Sequence, residues 1–262
     1  MKLITFTNNL FRDGNFLTLM LLSAEHNNIP NNCLEIFLNE NNYKHYLVYG
    51  ENKLFNKIHQ KFLLNTSLSE NFLCPFSDDK IISLMYNKLK IITENKNIIF
   101  LDTDCIINSN YESILNYAKL DFFMPNYGHI DHHFPIKIGN KIIMNYYNSG
   151  IVFSKSRKEK YLEFFEKNII KLIKISEKIN QTSWFVEEIV CNIIYNELLI
   201  SNQKSHNKDF EKNKIIHHYC QSDYKLKHQF VQEEINKIKE SMPRYKNYIV
   251  PENNVGRNDW IN

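Results

Sequence analysis

Asp102-Thr103-Asp104 follows directly on four large apolar residues, Ile98-Ile99-Phe100-Leu101. A continuous apolar run of this length fits a strand buried on both faces, as in the parallel sheet of an α/β protein. Such a strand delivers the residues after it to the carboxyl edge of the sheet, where open α/β folds bind ligands. Two carboxylates one residue apart repel each other there unless a cation lies between or beside them. The competing reading is a pair of solvated turn residues, since aspartate is common in turns.

Three other clusters carry usable chemistry. In Ile215-Ile216-His217-His218-Tyr219-Cys220, a strand points neighbouring side chains to opposite faces, so one of the two histidines faces a shared site. An imidazole beside two carboxylates makes a mixed nitrogen and oxygen donor set, which suits Mn²⁺ better than Ca²⁺ and accepts Mg²⁺ less readily. Read alone, the histidines are hydrogen-bonded residues at a strand end. In Asn148-Ser149-Gly150, the glycine permits close approach and Asn148 offers donor and acceptor to a hydroxylated ligand, although the tripeptide is also turn-like. Trp184-Phe185-Val186-Glu187-Glu188 opens a helix, where acidic residues complement the helix dipole. A carboxylate near a sugar's anomeric carbon would instead support or attack an oxocarbenium-like centre. Periodicity leaves open which glutamate points inward. Gly128-His129-Ile130-Asp131-His132-His133 reads as a polar loop, or as one wall of an acceptor site.

These residues need elements to position them. Leu3–Thr7 reads as a first strand and Asn8–Gly14 as a polar loop. Helical spacing covers Phe16–Glu25, His45–Tyr49 reads as a second strand, and Lys53–Leu64 as a helix. Asp79–Glu94 is a helix leading into the strand that ends at Asp102. This alternation implies a parallel sheet in the first hundred or so residues. Beyond it come a short helix (Ser113–Lys119), a short strand (Phe122–Pro125) and a hairpin over Pro135–Ile143 turning on Gly139-Asn140. A strand starts at Asn148. A basic amphipathic helix follows over Arg157–Ile179, its lysines forming a solvated face or meeting an anionic membrane surface. Trp184–Leu199 is a helix, Lys214–Tyr219 a strand and Val231–Glu240 a last helix, with a poorly ordered tail expected beyond Pro243.

The 262 residues accommodate one large α/β domain or two small ones; with no repeat and no linker, one domain is expected. A hydrophobic fraction of 43% supports a packed core rather than global disorder. The net charge of +3 argues against a dedicated nucleic-acid binder. Five scattered cysteines without a Cys-x-x-Cys pair fit reduced thiols in a cytoplasmic protein. The N-terminal apolar stretch is too short for a signal peptide, and no run approaches the roughly 20 apolar residues of a membrane span. The expectation is a soluble or peripherally membrane-associated chain.

The order of the clusters resembles the GT-A fold glycosyltransferases, and most nearly family 8, which includes bacterial lipopolysaccharide galactosyltransferases and glycogenin. The resemblance covers about Lys2 to Lys227. It implies a Rossmann-like, mixed and mostly parallel sheet flanked by helices, with residues of about 1–104 as a nucleotide-binding half. Residues of about 105–227 would then form a sugar and acceptor half, and about 228–262 a C-terminal helix and tail. By the same resemblance Asp102, Asp104 and His218 hold Mn²⁺ or Mg²⁺ against the donor's diphosphate. Thr7, Asn8, Asn9, Lys80, Thr103, Lys225 and Lys227 join the two aspartates on the donor. Asn148 contacts the sugar and Glu188 lies near the reacting carbon. Gln221 and Tyr224 replace the glycine and lysine of the family's Gly-x-x-Lys-Pro-Trp segment, so Lys225 or Lys227 substitutes for its lysine. Glu187-Glu188 replaces an Asp-Gln pair.

The implied activity is transfer of a sugar from a nucleotide-diphosphate donor to a hydroxyl of a glycan, a lipid-linked glycan or a protein, with retention of configuration. A haloacid-dehalogenase-like phosphohydrolase also places Asp-x-Asp after an apolar strand. That family needs a downstream Gly-Asp motif, and no Gly-Asp dipeptide occurs here. A non-catalytic carbohydrate-binding module would require the four clusters to coincide by chance.

Overall fold

The computed structural model describes residues 1–7, 9–39, 43–44, 53–68, 79–125, 135–180, 185–198, 209–210, 212–219 and 224–249. In chain order the elements are β1 (Lys2–Thr7), α1 (Leu10–His26), β2 (Leu34–Asn39), α2 (Lys53–Ile58), β3 (Leu63–Leu68), α3 (Lys80–Glu94) and β4 (Ile98–Leu101). They continue with β5 (Cys105–Ile107), α4 (Tyr111–Leu115), β6 (Phe122–Phe123), β7 (Ile136–Ile138), β8 (Lys141–Ile143) and β9 (Ile151–Ser154). The remainder is α5 (Glu159–Asn180), α6 (Val186–Glu197), β10 (Ile216–His218) and α7 (Tyr224–Glu240). Six strands form a mixed, mostly parallel sheet in the order β3-β2-β1-β4-β9-β6; β5–β10 and β7–β8 are separate pairs. Contacts divide the chain into two compact units, one of residues 71–100 and 116–213 with Met1, the other of residues 2–70, 101–115 and 214–262.

In the second of these units, β1, β2 and β3 run parallel, with Leu3 opposite Leu34 and Glu35 opposite Leu63. The loop expected over Asn8–Gly14 is a helix from Leu10 onward. Its Asn, Asp and Gly content looks turn-like, yet Leu10 is buried and the Asp13 side chain, also buried, accepts a hydrogen bond from Thr7 Oγ1. That satisfied carboxylate removes the local competition which usually keeps aspartate out of helices. β2 was not expected. Its Leu34, Ile36 and Leu38 are buried at period two, a readable signal. The helix expected over Lys53–Leu64 ends at Ile58 and gives way to a 3₁₀ turn and then β3. β3 is an edge strand whose leucines, Leu63, Leu64 and Leu68, do not alternate with polar residues, which hides it from a period-two pattern. The strand expected at His45–Tyr49 lies outside the described residues. α7 begins seven residues before the expected Val231, which puts Lys227 on a helix. In the tail, residues 243–249 are ordered around Tyr245, buried with its hydroxyl donating to Glu25 Oε2 at 2.5 Å.

In the other unit the expected α3 is present, started by Asp79, whose carboxylate accepts from the backbone N–H of Ile81 and Ile82. The hairpin turns as expected, with Gly139 at φ +63° and Ile136 opposite Ile143. β6 and β9 pair antiparallel, Phe123 against Phe153. α5 and α6 pack on α3, burying Tyr161, Phe165 and Leu172 of the amphipathic stripe. Among the described residues no helix is long and apolar enough to cross a membrane.

Candidate functional site

β5 follows Asp104 immediately, and β10 pairs with it antiparallel so that His218 stands opposite Cys105 and His217 opposite Ile106. The Tyr219 N–H donates to the Asp104 carbonyl and the Cys105 N–H to that of Asp102, closing the turn that carries both acids. This pairing brings together side chains far apart in sequence. His218 Nε2 lies 3.1 Å from Asp104 Oδ1 and 3.8 Å from Asp102 Oδ2. One ligand atom from each of the three residues lies within 4.8 Å of the others. His217 sits on the opposite, exposed face, which settles the choice between the two histidines.

The donor set fits a divalent cation: two carboxylates and one imidazole, converging in a partly buried place where uncompensated acids would repel. What compensates them here is cationic. Burial alone would raise the Asp104 carboxyl. Lys227 and His218 outweigh it and hold that group well below the usual carboxylate range. Burial would lower His218, but Asp104, with Asp102, raises it above an ordinary imidazole. Lys227 Nζ donates to Asp104 Oδ2, and its ammonium stands 5.0 Å from the centre of the Phe16 ring on α1. Phe16 also stacks on His228, one residue further along α7. At the end of β1, Thr7 Oγ1 accepts from the Asn9 N–H while donating to buried Asp13.

The unit holding β9 and α6 contains a second cluster. Glu187 and Glu188 are both buried in the first turn of α6, at 2% and 4% exposure, so the question of which one points inward has the answer both. Ser149 sits between them, its Oγ 2.9 Å from Glu187 Oε1 and 3.1 Å from Glu188 Oε2, with its N–H donating to Glu188 Oε2. Lys88 of α3, buried, reaches Glu187 Oε1 and Ser149 Oγ at 3.1 Å each. One cation thus faces two carboxylates. Burial and then Glu187 push Glu188 up to about 7, against the Tyr146 phenol, the Ser149 N–H and Lys88. Asn192 fastens α6 to the connection between β8 and β9, accepting from the Tyr147 N–H and donating to the Tyr147 carbonyl. Asn148 Oδ1 accepts from the Gly150 N–H.

Of the residues singled out in the sequence, Asp102, Asp104, His218 and Lys227 meet in one cluster, with Thr103 half-buried in the same turn. Lys80 is exposed at the start of α3. Asn8, Trp184, residues 128–133 and the Lys225 side chain lie outside the described residues. Sequence reasoning missed Lys88 and Asp13. Lys88 had a signal, since it lies three residues after Met85 and four before Ile92 on the apolar stripe of α3.

No family model matches the chain, and no curated protein matches it. Solved structures do. The galactosyltransferase LgtC in complex with donor and acceptor sugar analogues superimposes with a TM-score of 0.52 over 96% of this chain and 98% of that one, at 12% identity. An active-site mutant of LgtC gives 0.51 over the same shares, also at 12% identity. The fold is therefore the GT-A fold of glycosyltransferases. Within that class it resembles family 8, to which LgtC belongs.

Proposed function

We propose that this chain is a metal-dependent glycosyltransferase that moves a sugar from a nucleotide-diphosphate donor to an acceptor hydroxyl, with retention of anomeric configuration. The supporting observation is the convergence of Asp102, Asp104 and His218 in a chain that has the fold of a galactosyltransferase. The barrier in such a transfer lies largely in separating a cationic sugar from an anionic diphosphate. When bound, Mn²⁺ or Mg²⁺ supplies Lewis-acid stabilisation of that leaving group. Asp102, Asp104 and His218 would hold the ion, and Lys227 or Lys225 would neutralise phosphate oxygens as charge develops. Thr7, Asn8 and Asn9, at and after the end of β1, would hold the nucleotide. Asn148 would bind the sugar, with Glu188 acting on it as nucleophile or as electrostatic support. A phosphohydrolase of the haloacid-dehalogenase type has no observation in its favour beyond the Asp-x-Asp strand.

The test is thermal unfolding with Mn²⁺ and a panel of nucleoside diphosphates, on the wild type and on Asp104→Asn. One nucleotide is expected to raise the Tm of the wild type, since ligand at about 100 times its Kd stabilises by roughly 2.7 kcal/mol. The variant should fold but show neither that shift nor metal-dependent hydrolysis of the matching nucleotide sugar. Unchanged hydrolysis by Asp104→Asn would refute the assignment.

A further inference from the structure

We propose that the Lys227 ammonium is the resident counter-ion of the Asp102, Asp104 and His218 centre, and that a divalent cation enters only as Lys227 is drawn away to an anion such as a diphosphate. This rests on the metal-centre reading above and adds an order of loading to it. Both oxygens of Asp104 are engaged: Oδ1 faces His218 Nε2 and Oδ2 accepts from Lys227 Nζ. An entering cation must therefore displace a partner that already neutralises the carboxylate.

Lys227 is built into the site. Its side chain is 9% exposed, its ammonium lies over the Phe16 ring, and α7 is packed along α1. A solvated lysine on an exposed turn would swing into water at little cost. This one is held between Asp104 and the Phe16 ring, and a divalent cation on the same carboxylate would face its like charge. A diphosphate removes that conflict by giving the ammonium oxygens of its own. Metal and diphosphate then tighten each other's binding by the same factor, as linkage requires.

The readout is Mn²⁺ alone, titrated into the full metal-free chain and followed by the EPR signal of the free ion. Lys227→Met is expected to bind Mn²⁺ at least tenfold more tightly than the wild type, whereas Lys227→Arg, which keeps the charge, should bind as the wild type does. Without metal, Lys227→Met should melt below the wild type, because Asp104 has lost its partner, and Mn²⁺ should restore it. Lys227→Gln carries the same two expectations if the methionine variant does not fold. Equal Mn²⁺ affinity in wild type and the uncharged variants, with Asp104→Asn weaker than all of them, overturns the counter-ion role and leaves the metal centre standing. Binding that Asp104→Asn does not weaken overturns the metal centre itself.

Discussion

Replacing Glu188 by glutamine keeps the shape of a buried side chain and removes its titration. Glu188 is pushed up to about 7 from an ordinary 4.5, first by burial and then by Glu187. In the unfolded chain the group ionises near its ordinary value. Between the two values the native state holds a proton that the unfolded state has released, so stability falls as pH rises through this window. The gap between 4.5 and about 7, at about 1.4 kcal/mol per pH unit, sets the full cost at roughly 3.5 kcal/mol once Glu188 is charged in both states. Lys88 lies 3.1 Å from Glu187 Oε1 and is the smallest of the influences that lower Glu188, so this one cation does not cancel the cost. Urea unfolding of wild type and Glu188→Gln at about pH 5 and about pH 8 reads the contribution, since groups not coupled to Glu188 cancel in the difference. The variant should gain on the wild type by about 2.5 kcal/mol across that range, short of the full cost because the unfolded group is already mostly ionised at about pH 5. A difference that stays constant with pH would show that Ser149 and Lys88 hold Glu188 ionised at its ordinary value, and the reading of this cluster would fail.

Three further substitutions test local claims. Ser149→Ala removes the hydroxyl between Glu187 and Glu188 and should cost about 1–3 kcal/mol in the same unfolding assay, the range for leaving buried polar partners unsatisfied. Asp79→Ala uncaps α3 and should cost about 1 kcal/mol; a loss near zero would mean that packing alone starts this helix. Tyr245→Phe deletes the hydrogen bond to Glu25, which also receives Lys61 and Arg244, and should cost about 1–3 kcal/mol. An unchanged Tm for that variant would mean that this hydrogen bond does not help secure the 243–249 segment.

What could be read from the sequence was what local pattern encodes. The buried strand before Asp102, the Gly139 hairpin and the long stripe of α5 each show their period within a dozen or so residues. α1 began earlier than expected because Asp13 looks like a turn residue until Thr7, six positions away, buries and satisfies it. β3 stayed hidden because its leucines, Leu63, Leu64 and Leu68, do not alternate, and Lys88 because a helical lysine is usually solvated. The meeting of Asp102 and Asp104 with His218 depends on β5–β10 pairing, a long-range fact with no local signature. Only the order of the clusters, matched to a known family, pointed to it.

The central claim is that one divalent cation is gripped by these three side chains. Crystals grown with Mn²⁺ and the stabilising nucleoside diphosphate, measured at the manganese absorption edge, test it most directly. An anomalous peak is expected among Asp102, Asp104 and the Nε2 of His218, with Lys227 no longer on Asp104. A peak elsewhere, or bound nucleotide with Lys227 still paired to Asp104 and no manganese beside it, would contradict the account.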